Sequence, residues 1–295
     1  MKTKIITLSF KGFNACPIMR NTFSLIALLF VSASIFANPH LPTKQQIGMF
    51  LNSKTCVVLD DNTISYGVQL KDAVKKYWKV TEFEFIDQKE YEKRRFSSKY
   101  SFLVLMKEVY DNDPEGVGYN CLNLVMGDSV FNMTNMPELC NIPISYAGDN
   151  SVDYGYAIPA FVKFMQKHVK NIQDKHFLIS LSGLKYYNGI LNLKYNLLLF
   201  NKDALSEDAN TEEKIKTVYK YPVKLLSKEE IQKELETNPR NTVFNLHVGP
   251  SLNAASGKCF EMIFDTDGNL YYYNNRNITN INKDGFTLND FKNIR

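Results

Sequence analysis

The sequence predicts an α/β protein: a tandem repeat of a β-α-β-α-β-β unit, in two lobes joined by a long amphipathic helix. Three observations predict it. Short apolar runs of strand length alternate with charged segments of helical spacing. Four segments recur in the same order in the two halves of the chain. Between the halves, residues 153–176 carry apolar side chains at helical rather than strand spacing.

The amino terminus stands apart from this fold. Phe23 to Val31 (FSLIALLFV) is an unbroken apolar run, followed by the small-residue stretch SASIFA and then NPHLP. That is the hydrophobic and cleavage region of a secretory signal peptide, too short for a comfortable membrane span. Residues 1–37 are read as the signal, with an effective start at Met19 and cleavage after Ala37. No cysteine follows the apolar run, and Lys11 interrupts the short apolar stretch before Cys16, so a lipoprotein is not expected. The expected location is the periplasm, the cell envelope or the exterior. Removing Lys2, Lys4, Lys11 and Arg20 from 35 basic residues leaves 31, against 31 acidic ones, a mature formal charge of zero. The positive balance belongs to the signal, and no nucleic-acid partner is expected. No second long apolar segment follows, so the mature chain is expected to lack a transmembrane anchor.

The first lobe is assigned to residues 38–152. KTCVVLDD (54–61) reads as a short buried strand, and Val68, Ala73, Val74, Tyr77 and Trp78 form the apolar stripe of the helix after it. FEFID (83–87) is a second strand ending at Asp87, a capping residue for the charged helix behind it. SFLVLMKE (101–108) and CLNLVMGDS (121–129) are the next strands. Residues 153–189 form a linker: Ile158, Phe161, Val162, Met165, Val169 and Ile172 define a helix packed on the first lobe. The stretch 177–193 either wraps one lobe or bridges both. The second lobe, 190–295, repeats the first. KYNLLLFN (194–201) lies 140 residues after KTCVVLDD (194 less 54), and VKLLSKEEIQKE repeats FEFIDQKEYEKR with Ser227 as the cap. NTVFNLHV (241–248) follows, and Cys259 falls on Cys121. Ile215, Val218 and Tyr219 give the stripe of the second lobe's first helix.

Little in the chain reads as compact chemistry. Asp265, Asp267 and Gly268 resemble the opening of a calcium loop, but Leu270 and Arg276 stand where glycine and the closing carboxylate belong, so a hairpin turn is expected. GPSLNAASGKC (249–259) ends in Gly-Lys, but Cys259 replaces the magnesium-holding hydroxyl and a strand follows it, so a hairpin loop is expected. Ser182 and Lys185 have Ser-x-x-Lys spacing without the companion motifs of penicillin-interacting enzymes. His40, His168, His176 and His247 make no HExxH or helical ligand pair, with His168 and His176 placed at the polar edge and end of the linker helix. No catalytic residue, metal or cofactor is assigned. Cys121 and Cys259 sit opposite the strongly apolar strand faces, with Asn123 and Glu261. In an oxidising compartment Cys121 and Cys140 either pair or stay free thiols. Tyr271, Tyr273, Tyr186 and Tyr187 are the candidate contacts for a partner protein or glycan, Tyr271 and Tyr273 projecting from one strand face. Ordinary aromatic enrichment of strands is the competing account.

The KT-VVL-DN opening (54–62), the F-FI---E-E--R block (83–95) and MPELCNIPISYAG (136–148) resemble uncharacterised exported proteins of Bacteroidota over most of the mature chain. That resemblance implies export and supplies no activity. At the fold level only, each repeat looks like the small α/β module of the Tol-system translocation protein's amino-terminal domain, which implies docking and assembly. The expected function is therefore a non-catalytic envelope protein acting through protein or glycan contacts. The alternative is an exported hydrolase with its site assembled between the two lobes.

Overall fold

The computed structural model describes residues 41–59, 64–110, 118–130, 135–147, 155–194, 196–237, 240–250 and 254–294. Residues 1–37, expected from the sequence to be a signal peptide, lie outside the described residues. The first lobe opens with helix α1 (Lys44–Leu51), then β1 (Lys54–Val58), α2 (Ile64–Tyr77), β2 (Glu82–Ile86), α3 (Gln88–Arg94), β3 (Tyr100–Glu108), β4 (Tyr119–Met126) and β5 (Glu138–Tyr146). Helix α4 (Ile158–Ser182) follows. The second lobe comprises β6 (Leu197–Asn201), α5 (Glu212–Lys216), β7 (Val223–Leu226), α6 (Lys228–Thr237), β8 (Thr242–Val248), β9 (Lys258–Asp265), β10 (Leu270–Asn277) and α7 (Leu288–Asn293).

The fold is α/β, with two five-stranded mixed sheets and a long helix between them. The orders are β2-β1-β3-β4-β5 and β7-β6-β8-β9-β10, so corresponding strands occupy corresponding places. In each sheet the first three strands pair in parallel, and the next two each pair antiparallel with the strand before. This is consistent with two copies of one unit. Parallel neighbours require crossovers, which α2 and α3 supply in the first lobe. Central β1 is buried on both faces at Cys56, Val57 and Val58. The caps fall where expected. The Asp87 carboxylate accepts from the Glu90 backbone N–H at 2.8 Å, and Ser227 exchanges bonds with Glu230 in the same way at the start of α6.

Three departures have local causes. Each unit ends in a fifth strand beyond the β-α-β-α-β-β pattern. In the first lobe this is edge strand β5, whose Pro143 and two register shifts hide its alternation. Val68 is exposed, and the buried face of α2 is Tyr66, Leu70, Ala73 and Val74, with buried Trp78 just past its end. Position 68 lies on the far side of a helix whose inward row runs through 66, 70, 73 and 74. In the second lobe, turn-forming residues between 202 and 211 break the first helix into two 3₁₀ turns and the five-residue α5.

Helix α4 does not pack on the first lobe alone. Ile158, Ala160, Phe161, Val162, Phe164, Met165, His168, Val169 and Ile172 are all buried, more than one stripe can hold, which marks a helix covered on several sides. It packs on α1, α2 and β5, while Phe161 and Phe164 meet Phe264 of β9 edge-on with ring centres 5.5 and 5.3 Å apart. One apolar core thus runs from Val57 and Leu103 through α4 to Phe244, Met262 and Phe264. A second core, around Phe200, Phe286 and Phe291, is closed by α7. Elsewhere between the lobes, the Tyr119 hydroxyl donates to Lys258 O at 2.9 Å and accepts from Lys258 N at 2.6 Å. The segment after α4 bridges rather than wraps. Tyr187 docks back on the helix, and Asn188 exchanges two hydrogen bonds with the backbone of Tyr273 on the free edge of β10. Among the described residues no helix is long and apolar enough to cross a membrane.

The stretch IFDTDGNLYYY is a turn between β9 and β10. The Asp265 carboxylate is spent inside it, accepting from Asn269 N at 2.8 Å and Asn269 Nδ2 at 2.7 Å. The carbonyls of Thr266 and Asp267 accept from Lys163 and Lys167 of α4 at 2.7 and 2.9 Å, so ammonium groups meet the oxygens that a calcium loop would turn inward. Gly268 has φ +73°, and a Cβ there would stand 2.6 Å from Ala160 O and 2.7 Å from Phe164 N. Gly268→Ala should therefore destabilise the protein by about 2 kcal/mol or more, from left-handed strain plus a clash with helix backbone. Urea unfolding measures it, and a loss under about 0.5 kcal/mol would show that the turn is not seated on α4.

Candidate functional site

Two places combine access or unusual chemistry with convergent polar groups. The first is a groove of about 620 Å³ between α2, α4 and α6. Tyr77, Tyr156, Pro159, Leu235 and Phe244 give it apolar walls, and Lys76, Lys163, Gln232, Glu236 and Asp267 line it with donors and acceptors. The Lys163 ammonium lies 4.4 Å from the centre of the Tyr77 ring, a cation–π contact that fixes the ring. Gln232 and Glu236, four residues apart on α6, present exposed polar ends to this groove.

The second place is the face of the second sheet turned away from α4. His247 and Glu261 face each other across β8 and β9, and Cys259 shares their side of the sheet. Asp284, from the loop before α7, reaches His247 Nε2 with Oδ1 at 2.7 Å. Burial works to raise the Asp284 carboxyl, but His247, the Cys259 thiol and the Gly285 N–H outweigh it, and its pKa is lowered. Arg276 donates to Glu261 Oε2 at 2.7 Å and lies 3.3 Å from Asp290 Oδ2. Burial, then the Asp290 charge, push Glu261 well up against the pull of Arg276. Burial, then Glu261 and Asp284, push the Cys259 thiol up. A neighbouring cleft of about 860 Å³ is lined by Ser206, Asp208, Asn210, Arg276 and Asp284.

No family model, curated protein or solved structure matches the chain.

The tyrosines singled out from the sequence go to different places. A register shift between Leu270 and Tyr272 makes Tyr271 a bulge. Tyr273, opposite Met262, therefore turns into the main core, whereas Tyr272, opposite Ile263, faces the second core. Tyr273 and Tyr187 are buried and Tyr271 and Tyr186 half-buried, so the expected outer face of Tyr271 and Tyr273 does not exist. One inserted residue inverts every side chain beyond it, and period-two counting cannot see it. Burial raises the Tyr273 phenol, and the Cys121 thiol and the Glu138 and Glu108 carboxylates of the first lobe add to the rise. Tyr187 bonds His168 Nδ1 at 2.7 Å and accepts from Asn171 at 3.1 Å. His168 is thus a buried partner rather than a residue of the polar edge, and burial lowers its pKa to about 3.

Cys121 stands opposite Pro143 and Cys140 opposite Leu124, which puts them on opposite faces of the first sheet. A bridge between them is sterically barred, and Cys56, Cys121, Cys140 and Cys259 are all free thiols. Ser182 Oγ donates to Leu178 O at 2.7 Å, which ties it to its own helix. The polar face around His247 was half legible, since Cys259 and Glu261 fell on it by alternation. Asp284 carried no signal, because it arrives from a loop 37 residues beyond His247.

Tyr273→Ala should cost about 3 kcal/mol as a buried aromatic truncation, and Tyr271→Ala under about 1 kcal/mol. Equal losses in chemical denaturation would place both rings alike and contradict the bulge. For His168, the unfolded pKa near 6.5 lies above the folded value of about 3, so the unfolded chain takes up the proton first. The stability it confers should be complete above about pH 6.5 and fall as the pH drops toward 3, by up to about 1.4 kcal/mol per unit. His168→Gln should flatten the slope of stability against pH in that window by up to one proton, and an unchanged slope would show that the imidazole is not held neutral.

Proposed function

We propose that the chain is an exported protein of the cell envelope that acts by binding, with the groove between α2, α4 and α6 as its contact surface and an envelope glycan as its ligand. The groove carries this reading. Its Tyr77 and Tyr156 rings beside an amide, ammonium groups and carboxylates are the mix that stacks on sugar rings and bonds their hydroxyls. Export rests on the apolar run and small residues of 23–37, and kinship with the exported Bacteroidota proteins belongs to the same proposal. A second reading, an exported hydrolase, draws on one observation where the lobes meet. Asn141 Nδ2 contacts both Glu108 Oε1 and Glu138 Oε2, and Tyr110 donates to Glu108 at 2.9 Å. Burial, then the Glu108 charge, push Glu138 up to about 7, where a carboxyl can give up a proton at neutral pH.

Co-sedimentation of the mature protein with isolated envelope polysaccharide, with and without added cell-envelope protein, separates these readings. Saturable binding to the polysaccharide alone is expected. It should weaken roughly three- to tenfold in Tyr77→Ala and Gln232→Ala, the scale of a lost ring or polar contact. Binding that requires the protein fraction would move the reading to a protein partner. Release of reducing ends that Glu138→Gln abolishes would replace it with the hydrolase.

A further inference from the structure

The second lobe carries a donor set that the groove does not use. One nitrogen of His247, the sulfur of Cys259 and one oxygen of Asp284 all lie within 4.8 Å of one another. Three elements deliver them: β8, the start of β9, and the loop before α7. Gly249 makes room, since a Cβ there would stand 2.4 Å from Asp284 Oδ1. In a tetrahedral zinc site with bonds of about 2.0–2.3 Å, neighbouring donors lie roughly 3.3–3.8 Å apart. To reach that spacing, the 2.7 Å hydrogen bond between His247 Nε2 and Asp284 Oδ1 has to open.

A second observation points the same way. Asp284 and Glu261 are fully buried, yet Asp284 Oδ2 and Glu261 Oε1 have no hydrogen-bond partner. An unsatisfied buried carboxylate oxygen costs on the order of 1–3 kcal/mol or more, so native structures give such an atom a donor, a water or an ion. Around it stand three buried carboxylates, Glu261, Asp284 and Asp290, whose ion-pair partners are Arg276 and His247. The first lobe supplies a comparison within the molecule. Where the second has the cross-strand pair His247–Glu261 beside Cys259, the first has Val104–Asn123 beside Cys121. The same backbone frame carries neutral side chains there.

We propose that His247, Cys259 and Asp284 bind a single zinc(II) ion. One imidazole, one thiolate and one carboxylate form a mixed set that suits zinc. Calcium and magnesium take all-oxygen shells, and copper(I) prefers sulfur throughout. Asp284 binds through its unpartnered Oδ2. Three protein donors leave the fourth position to water, which reaches it from the cleft that Asp284 lines. Binding displaces the thiol proton of Cys259 to solvent and leaves the zinc oxidation state unchanged.

The test uses the mature, metal-free protein, with zinc(II) and cobalt(II) as the probes. About one zinc per chain should survive dialysis, and a chelator should lower the melting temperature reversibly. Cobalt(II) should give a near-ultraviolet thiolate-to-metal charge-transfer band. That band should vanish in Cys259→Ala and weaken at least tenfold in apparent affinity in Asp284→Asn, while Cys121→Ala leaves it intact. If Cys259→Ala does not fold, the unmodified protein still decides the matter through its stoichiometry and cobalt spectrum. A featureless cobalt spectrum, zinc lost completely on dialysis, or a band that persists in Cys259→Ala would overturn the site.

Discussion

The burial of α4 between two sheets is the constraint on which the rest of the structure depends. The main apolar core takes in one face of each sheet, and α4 is buried within it. The helix packs on α1, α2 and β5 of the first lobe, and meets the second through Phe161 and Phe164 against Phe264. Each large side chain buried this way contributes about 1.5–3 kcal/mol, so the joint is a core rather than a hinge. Its polar positions are equally committed. Gln166 donates to Tyr77 O and accepts from Lys79 N at the end of α2, and Lys163 and Lys167 hold the carbonyls of the β9–β10 turn. One turn of helix therefore satisfies loose backbone groups from both lobes.

This arrangement also produces the groove. Residues of α2, α4 and α6 line it together, with Lys76, Lys163, Gln232 and Glu236 as its charged and polar side chains. A ligand there would touch both lobes and the helix between them at once. Sites at such junctions combine a rigid frame with side chains from distant parts of the chain.

The two sheets share strand order but not chemistry. The faces turned toward α4 are alike, with Leu122, Leu124 and Met126 in one lobe and Phe260, Met262 and Phe264 in the other. The outward faces differ. In the first lobe Val104 and Val125 close over Tyr91 of α3 in a small apolar core. In the second, the core around Phe200, Ile263 and Phe286 covers part of that face, and beside it His247, Glu261 and Arg276 lie under a carboxyl-terminal segment that brings Asp284 and Asp290. Polar groups are costly to bury, and Asp290 shows the usual answer. It accepts from Tyr272, Asn274 and Thr287, whereas Asp284 Oδ2 and Glu261 Oε1 accept nothing.

The sequence by itself determined the α/β class, four strands of each unit in chain order, the caps at Asp87 and Ser227, and the turn at Gly268. All of these depend on local chemistry: alternation, helical spacing, a side chain that reaches the backbone three residues on, and a residue that tolerates positive φ. Tertiary structure alone decided which side chains are buried and which meet. A bulge at Tyr271 sent Tyr273 inward, and opposite faces of a sheet kept Cys121 from Cys140. The second sheet turned α4 from an amphipathic helix into a buried one, and a loop carried Asp284 to His247 and Cys259. Periodicity reports how a segment relates to its own axis. Burial and convergence depend on what packs against that axis, and those partners lie tens of residues away along the chain.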